Sequence, residues 1–123
     1  MEKNKAYQLP ISALAYLGDS VMELMVREML VKSGVSHPQE AASKYVTATA
    51  QSAAAEKLLS LFTEDEAAIY KRGRNSTHTA PKSATHAEYS RATGLECVFA
   101  YLYLAGEAER LRELFSLGFD LQQ

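Results

Sequence analysis

The stretch ALAYLGDSVMELMVREML, Ala13 to Leu30, decides how this chain folds. Its apolar residues recur at helical spacing on more than one face: Leu14, Leu17, Val21, Leu24 and Met25 along one, Ala15, Met22, Val26 and Met29 along another. A helix that is apolar around most of its girth is either central to a bundle or shared with a second subunit. Yet Asp19 sits in the middle of the run, beside Gly18. A carboxylate withdrawn from water is costly unless it is paired, so Asp19 needs a partner.

The punctuation on either side extends the helical reading. Pro10 and Ser12 stand at the head of the helix, with Ser12 the candidate N-cap, and Gly34 stands where a left-handed residue closes it. SHPQ, Ser36 to Gln39, reads as a capping box with proline in the first turn, and opens a helix through about Thr49. An alanine-rich helix follows from about Gln51 to Phe62. TEDE, Thr63 to Glu66, caps a short helix that ends near Gly73. THAE, Thr85 to Glu88, caps a second strongly apolar helix that reaches Gly106, and an amphipathic helix from Glu107 to Leu117 ends at Gly118. Between Gly73 and Thr85 the chain reads GRNSTHTAPKSAT, polar and without periodicity, a loop long enough to carry function. Strand patterns are nearly absent. The expectation is an all-α bundle of about six helices in a single domain over residues 1–123, with no linker or internal repeat.

Composition narrows the function classes. Apolar residues make up 47% of the chain, enough for a core and too many for a disordered polymer. Cys97 is the one cysteine, which excludes an internal disulfide and any C-x-x-C pair, and suits a reducing cytoplasm. The opening MEKNKAYQLP lacks the apolar core of a signal peptide. Asp19, Glu23, Arg27 and Glu28 interrupt the best candidate for a membrane span, so no membrane partner is expected. Net charge is −2, but Lys71 to Arg91 holds five strong bases and one acid, a segment of +4 on a body of −6. A local basic patch of that kind suits a polyanion.

The counterpart of Asp19 is Glu96, which lies in the second apolar helix between Leu95 and Cys97. Two acids side by side repel, and at neutral pH they need a cation between them or a shared proton. Ligands that are all oxygen suit a hard ion such as Mg²⁺, with Mn²⁺ as a substitute, and helical bundles build such sites from acids on facing helices. The plainer alternative is that each acid pairs with Lys or Arg, or projects at an exposed rim. Glu23, four residues before Arg27, has such a partner at helical spacing. Gly18 and Gly94 each lie within two residues of a proposed ligand, where missing side chains let the two apolar helices approach.

LAYLGDSVMELMV and TGLECVFAYLYLAG resemble the two signature motifs of the ribonuclease III nuclease domain, in the family's order and at roughly its separation. YKRGRNS and PKSATHAEYSRATGLE further resemble its compact bacterial branch, the mini-ribonucleases III, and the resemblance runs from about Leu9 to Leu117. It implies a ribonuclease III-like helical bundle that hydrolyses double-stranded RNA with Mg²⁺, leaving 5′-phosphate ends, in the maturation of a 23S ribosomal RNA precursor. The chain ends at Gln123 with no double-stranded-RNA-binding domain, as the compact branch does.

The family's catalytic, metal-binding Asp and Glu fall on Asp19 and Glu96. Its two further acids fall on Ala15 and Thr93, so water and RNA phosphate oxygens must supply the missing ligands. Thr93, one turn before Glu96, shares its helix face and is placed to hold a water on the ion. A homodimer, with one site for each strand, is implied, and a ribosomal protein is a further candidate partner. The RNA grip falls on Lys71, Arg72, Arg74, Asn75, Ser76, Thr77, His78, Lys82 and Arg91, whose donors suit phosphates and 2′-hydroxyls. Lys71 and Arg72 also read as a solvated helix end stabilised by its dipole. Two rival readings stand beside the nuclease: a non-catalytic double-stranded-RNA-binding dimer, and a helical protein-interaction module.

Overall fold

Helices α1 (Lys3–Tyr7), α2 (Ile11–Ser33), α3 (Pro38–Val46), α4 (Ala48–Leu58), α5 (Glu64–Asn75), α6 (His86–Leu104) and α7 (Ala108–Gly118) build the computed structural model, with one 3₁₀ turn at Leu59–Leu61. The structure describes residues 1–76 and 84–121, and no strand occurs among them. The all-α reading is therefore right. The short α1, which lacks an apolar stripe of its own, was not foreseen.

Helix α6 is the axis of the bundle, packed chiefly against α2, α4 and α5. Its Leu95, Cys97, Val98, Phe99 and Ala100 have no exposed surface. Around them lie Leu14, Met22 and Val26 of α2, Ala55 and Leu58 of α4, Ile69 of α5 and Leu114 of α7, all fully buried. Each Leu, Ile, Val, Met or Phe side chain among them contributes roughly 1.5–3 kcal/mol on leaving water. The apolar excess of α2 divides. One face enters the core, while Tyr16, Leu24 and Val31 are 85%, 62% and 72% exposed.

Local capping explains most of the boundaries. Gly34 closes α2 at φ 71°. Thr63 with Glu66, and Thr85 with Glu88, form reciprocal capping boxes. Ser12, by contrast, lies inside α2, which follows Pro10 with no side-chain cap. Nor does the Ser36–Gln39 box close, since α3 starts at Pro38 after an uncapped His37. The helix expected through Thr49 stops at Val46, because Thr47 is extended and its hydroxyl accepts from the Ala50 amide at 3.2 Å, which starts α4. Glu66 does more than cap: Arg110 of α7 donates to its carboxylate at 3.0 and 2.8 Å, tying α7 to α5 and holding the carboxyl below its ordinary range.

Two glycine crossings set the spacing. A Cβ on Gly18 falls 1.9 Å from the Glu96 carbonyl oxygen, so α2 touches the α6 backbone there. A Cβ on Gly94 falls 2.7 Å from the Tyr70 carbonyl oxygen, and one on Gly73 falls 2.9 Å from the Gly94 Cα. Gly94 therefore belongs to the α5–α6 crossing, not to the α2–α6 crossing expected for it. Gly18→Ala is expected to cost about 3 kcal/mol or more, because the obstacle is backbone and cannot swing aside. Urea unfolding measures this as a lower midpoint at unchanged slope.

Candidate active site

Asp19 follows Gly18 directly, and Gly18 rests on the backbone of Glu96 itself. The α2–α6 crossing thus brings the two acids together, and their carboxyl groups are in hydrogen-bonding contact. Among the described residues neither has an ion-pair partner. Asp19 is exposed at the rim and Glu96 is half-buried. Burial, with the charge of Asp19 adding to it, pushes the Glu96 carboxyl up to about 8, while a hydrogen bond from Gln51 acts the other way. Near neutral pH the pair shares a proton or calls for a cation.

The acids open into a groove of about 990 Å³ between α2, α4 and α6. Asp19, Ser20, Thr47, Thr49, Gln51, Thr93 and Glu96 give it a lining of oxygen and amide groups, with no Lys, Arg or His among the described residues. Thr93 donates its hydroxyl proton to the Tyr89 carbonyl at 2.9 Å, so its oxygen remains as an acceptor on the groove. Ala15 lines the same groove one turn before Asp19. No cluster of three or more acidic, His or Cys ligands exists among the described residues. Two carboxylates flanked by amide and hydroxyl oxygen fit a hard divalent ion that keeps most of its waters. A double positive charge there relieves the repulsion that burial imposes.

Gln51 was not foreseen. It is 4% exposed on α4 and reaches both Glu96 and the Val46 carbonyl, the latter at 3.4 Å. Its one sequence signal is a long amide within an otherwise alanine-rich helix.

The basic segment is dispersed. Lys71 is exposed on α5, and Asn75 is exposed at its last position. Arg72 is turned inward: its guanidinium donates to the Tyr7 and Leu9 carbonyls at 2.7 and 3.1 Å and lies 5.5 Å from the Tyr7 ring centroid. These bonds fasten the N-terminal segment to α5 and give Arg72, expected as an RNA contact, a structural role. Ser76 donates to the Gly73 carbonyl at 2.7 Å, which serves the end of α5. Arg91 donates to Ser52 at 2.6 Å and pairs with Glu56 at 3.2 Å. Arg74, over the Tyr70 ring, shares with Arg91 a separate groove away from the acids. Thr77, His78 and Lys82 lie outside the described residues. No described helix is long and apolar enough to cross a membrane.

Known proteins resemble this chain over most of its length. Residues 12–107 match the Ribonuclease III domain family. Mini-ribonuclease 3 of Symbiobacterium thermophilum is 47% identical over 116 residues, covering 91% of this chain and 89% of that protein. Mini-ribonuclease 3 of Enterococcus faecalis is 41% identical over 115 residues, covering 89% and 87%. A Fusobacterium nucleatum protein of known crystal structure superposes with a TM-score of 0.77 at 32% identity, covering 84% of this chain and 87% of that one. The chain therefore belongs to the ribonuclease III family of endoribonucleases, in its compact mini-ribonuclease 3 branch.

Proposed function

We propose that this endoribonuclease cleaves double-stranded RNA with a Mg²⁺ ion held by Asp19 and Glu96, Mn²⁺ serving in its place. The contact between those two unpaired carboxyl groups, in an open groove free of described cations, carries the reading. Nucleases of this family generally depend on a divalent metal. When bound, the ion supplies Lewis-acid polarisation of a phosphate oxygen and a more acidic water for in-line attack. Asp19 stands at the exposed rim, where an incoming phosphate passes it. Glu96 lies deeper, held by α6. The Thr93 oxygen, whose proton goes to the Tyr89 carbonyl, would accept a hydrogen bond from a water on the ion. The products are 5′-phosphate and 3′-hydroxyl ends.

A subunit with one such site cuts one strand, so cutting both calls for a second copy. The exposed Tyr16, Leu24 and Val31 on α2 support a two-fold homodimer through that helix. A 23S ribosomal RNA precursor, presented with or without a ribosomal protein in the cytoplasm, is the substrate this reading favours. The grip on RNA is assigned to Lys71, Arg74 and Asn75, with Thr77, His78 and Lys82 of the following segment.

The test is cleavage of a labelled RNA duplex, its single strands and the matching DNA duplex, with Mg²⁺, with Mn²⁺ and with chelator. Cutting of the RNA duplex alone, lost on chelation, is the expected result. Equal cutting of single strands, or cutting that survives chelation, overturns the proposal. Arg72 separates structure from grip. Arg72→Ala is expected to lower stability in urea by about 2 kcal/mol, as loss of charge-assisted hydrogen bonds does. The same variant leaves the salt slope of RNA binding unchanged, whereas Lys71→Ala flattens it by about one unit.

A further inference from the structure

We infer that Gln51 is a positioning residue for the cation site, acting through Glu96. Gln51 stands on α4, an element that supplies no charged group to the groove, yet its side chain is 4% exposed and lines the groove with Asp19, Thr93 and Glu96. Its amide nitrogen donates to the Val46 carbonyl at 3.4 Å, at the break between α3 and α4. The same side chain lines the groove beside Glu96, close enough for its amide to interact with that carboxyl group. An ionised carboxylate only accepts, so an amide N–H is the donor there. A primary amide has two N–H groups, which matches one for the backbone anchor and one for Glu96.

The arrangement answers a difficulty built into the site. Glu96 reaches the groove from α6 with no ion-pair partner among the described residues to hold its side chain. A buried donor fixed on α4 holds that side chain in one orientation. The anchor lies at the extended Thr47 corner, so the cap that starts α4 also sets where the amide points. Partners that orient a metal ligand in this way are typically worth 10- to 100-fold in affinity.

This inference rests on the proposed cation site, so its test includes a variant for each. Mn²⁺ binding to the metal-free protein, without RNA, is measured by calorimetry for the parent chain, Gln51→Met, Gln51→Asn and Asp19→Asn. Circular dichroism and melting confirm that each is folded at the working temperature. Gln51→Met, similar in length but without donors, is expected to weaken Mn²⁺ binding by about 10- to 100-fold. Raising Mn²⁺ is then expected to restore kcat at an unchanged KM for duplex RNA. Gln51→Asn keeps the amide but is too short to bridge, and should weaken binding as Gln51→Met does. Parent-like Mn²⁺ affinity in both Gln51 variants, with Asp19→Asn impaired, overturns the role of Gln51 and leaves the site standing. Parent-like affinity in Asp19→Asn overturns the site and the role of Gln51 with it.

Discussion

Asp19→Asn is expected to lower the single-turnover cleavage rate of duplex RNA by about 10³-fold or more, with fold and duplex binding intact. The substitution keeps the size and shape of the side chain and removes its charge. Asp19 is exposed, so asparagine there strands no buried group. Helix α2 loses nothing by the change, since its ends are set at Pro10 and Gly34 and its core face by Leu14, Met22 and Val26. What is lost is one of two negative ligands. With only Glu96 left, a hard cation has half the charge to balance its dehydration. Binding of the duplex, measured with chelator present, should match that of the parent, because the basic side chains lie away from the acids. The melting temperature of the metal-free variant should stay level or rise, as a like charge beside Glu96 has gone. Cleavage within tenfold of the parent sinks the assignment of Asp19.

Charge out of place is what made the two acids legible. Asp19 and Glu96 each interrupt an apolar helix, and few sequence signals are sharper than a carboxylate where burial is expected. Capping was legible where Thr is followed three residues later by Glu, as at Thr63 and Thr85, while the similar spacing of Ser36 and Gln39 formed no cap. Thr47 escaped because alanine follows it and no Glu or Gln marks the box, though its hydroxyl caps α4 all the same. Arg72 escaped for a different reason. Its acceptors are backbone carbonyls 65 and 63 residues away, which no local pattern announces. Gly94 was read as a contact of the wrong helix pair, since a glycine reports a close approach and not the identity of the neighbour. Gln51 carries no charge, and a lone amide in an alanine-rich helix is a weak signal. Only the packing of α4 on α6 gives it a role.

Glu96→Gln is expected to abolish cleavage and, at pH 8, to stabilise the metal-free protein by an amount of the order of 4 kcal/mol. In the folded chain the Glu96 carboxyl is pushed from 4.5 up to about 8 by burial and by Asp19. Between those two values the unfolded chain has lost this proton and the folded chain still holds it. Stability therefore falls as pH rises from about 4.5 to about 8. Glu66 acts in the opposite direction, since its carboxyl is held low and its contribution is lost only in acid. The metal-free protein should thus be most stable in mildly acid solution and weaken toward pH 8. Glutamine in place of Glu96 removes that slope, for its amide is neutral at every pH in the range. Its oxygen accepts from Gln51 and its nitrogen donates to Asp19, so both neighbours keep a partner. Mg²⁺ should flatten the slope of the parent chain and leave that of the variant unchanged, because only the parent gains a relieved charge. Urea unfolding at pH 5 and pH 8, with and without Mg²⁺, measures all four corners. A parent chain equally stable at both pH values without metal contradicts the crowding of Glu96 against Asp19 from which the cation site is inferred.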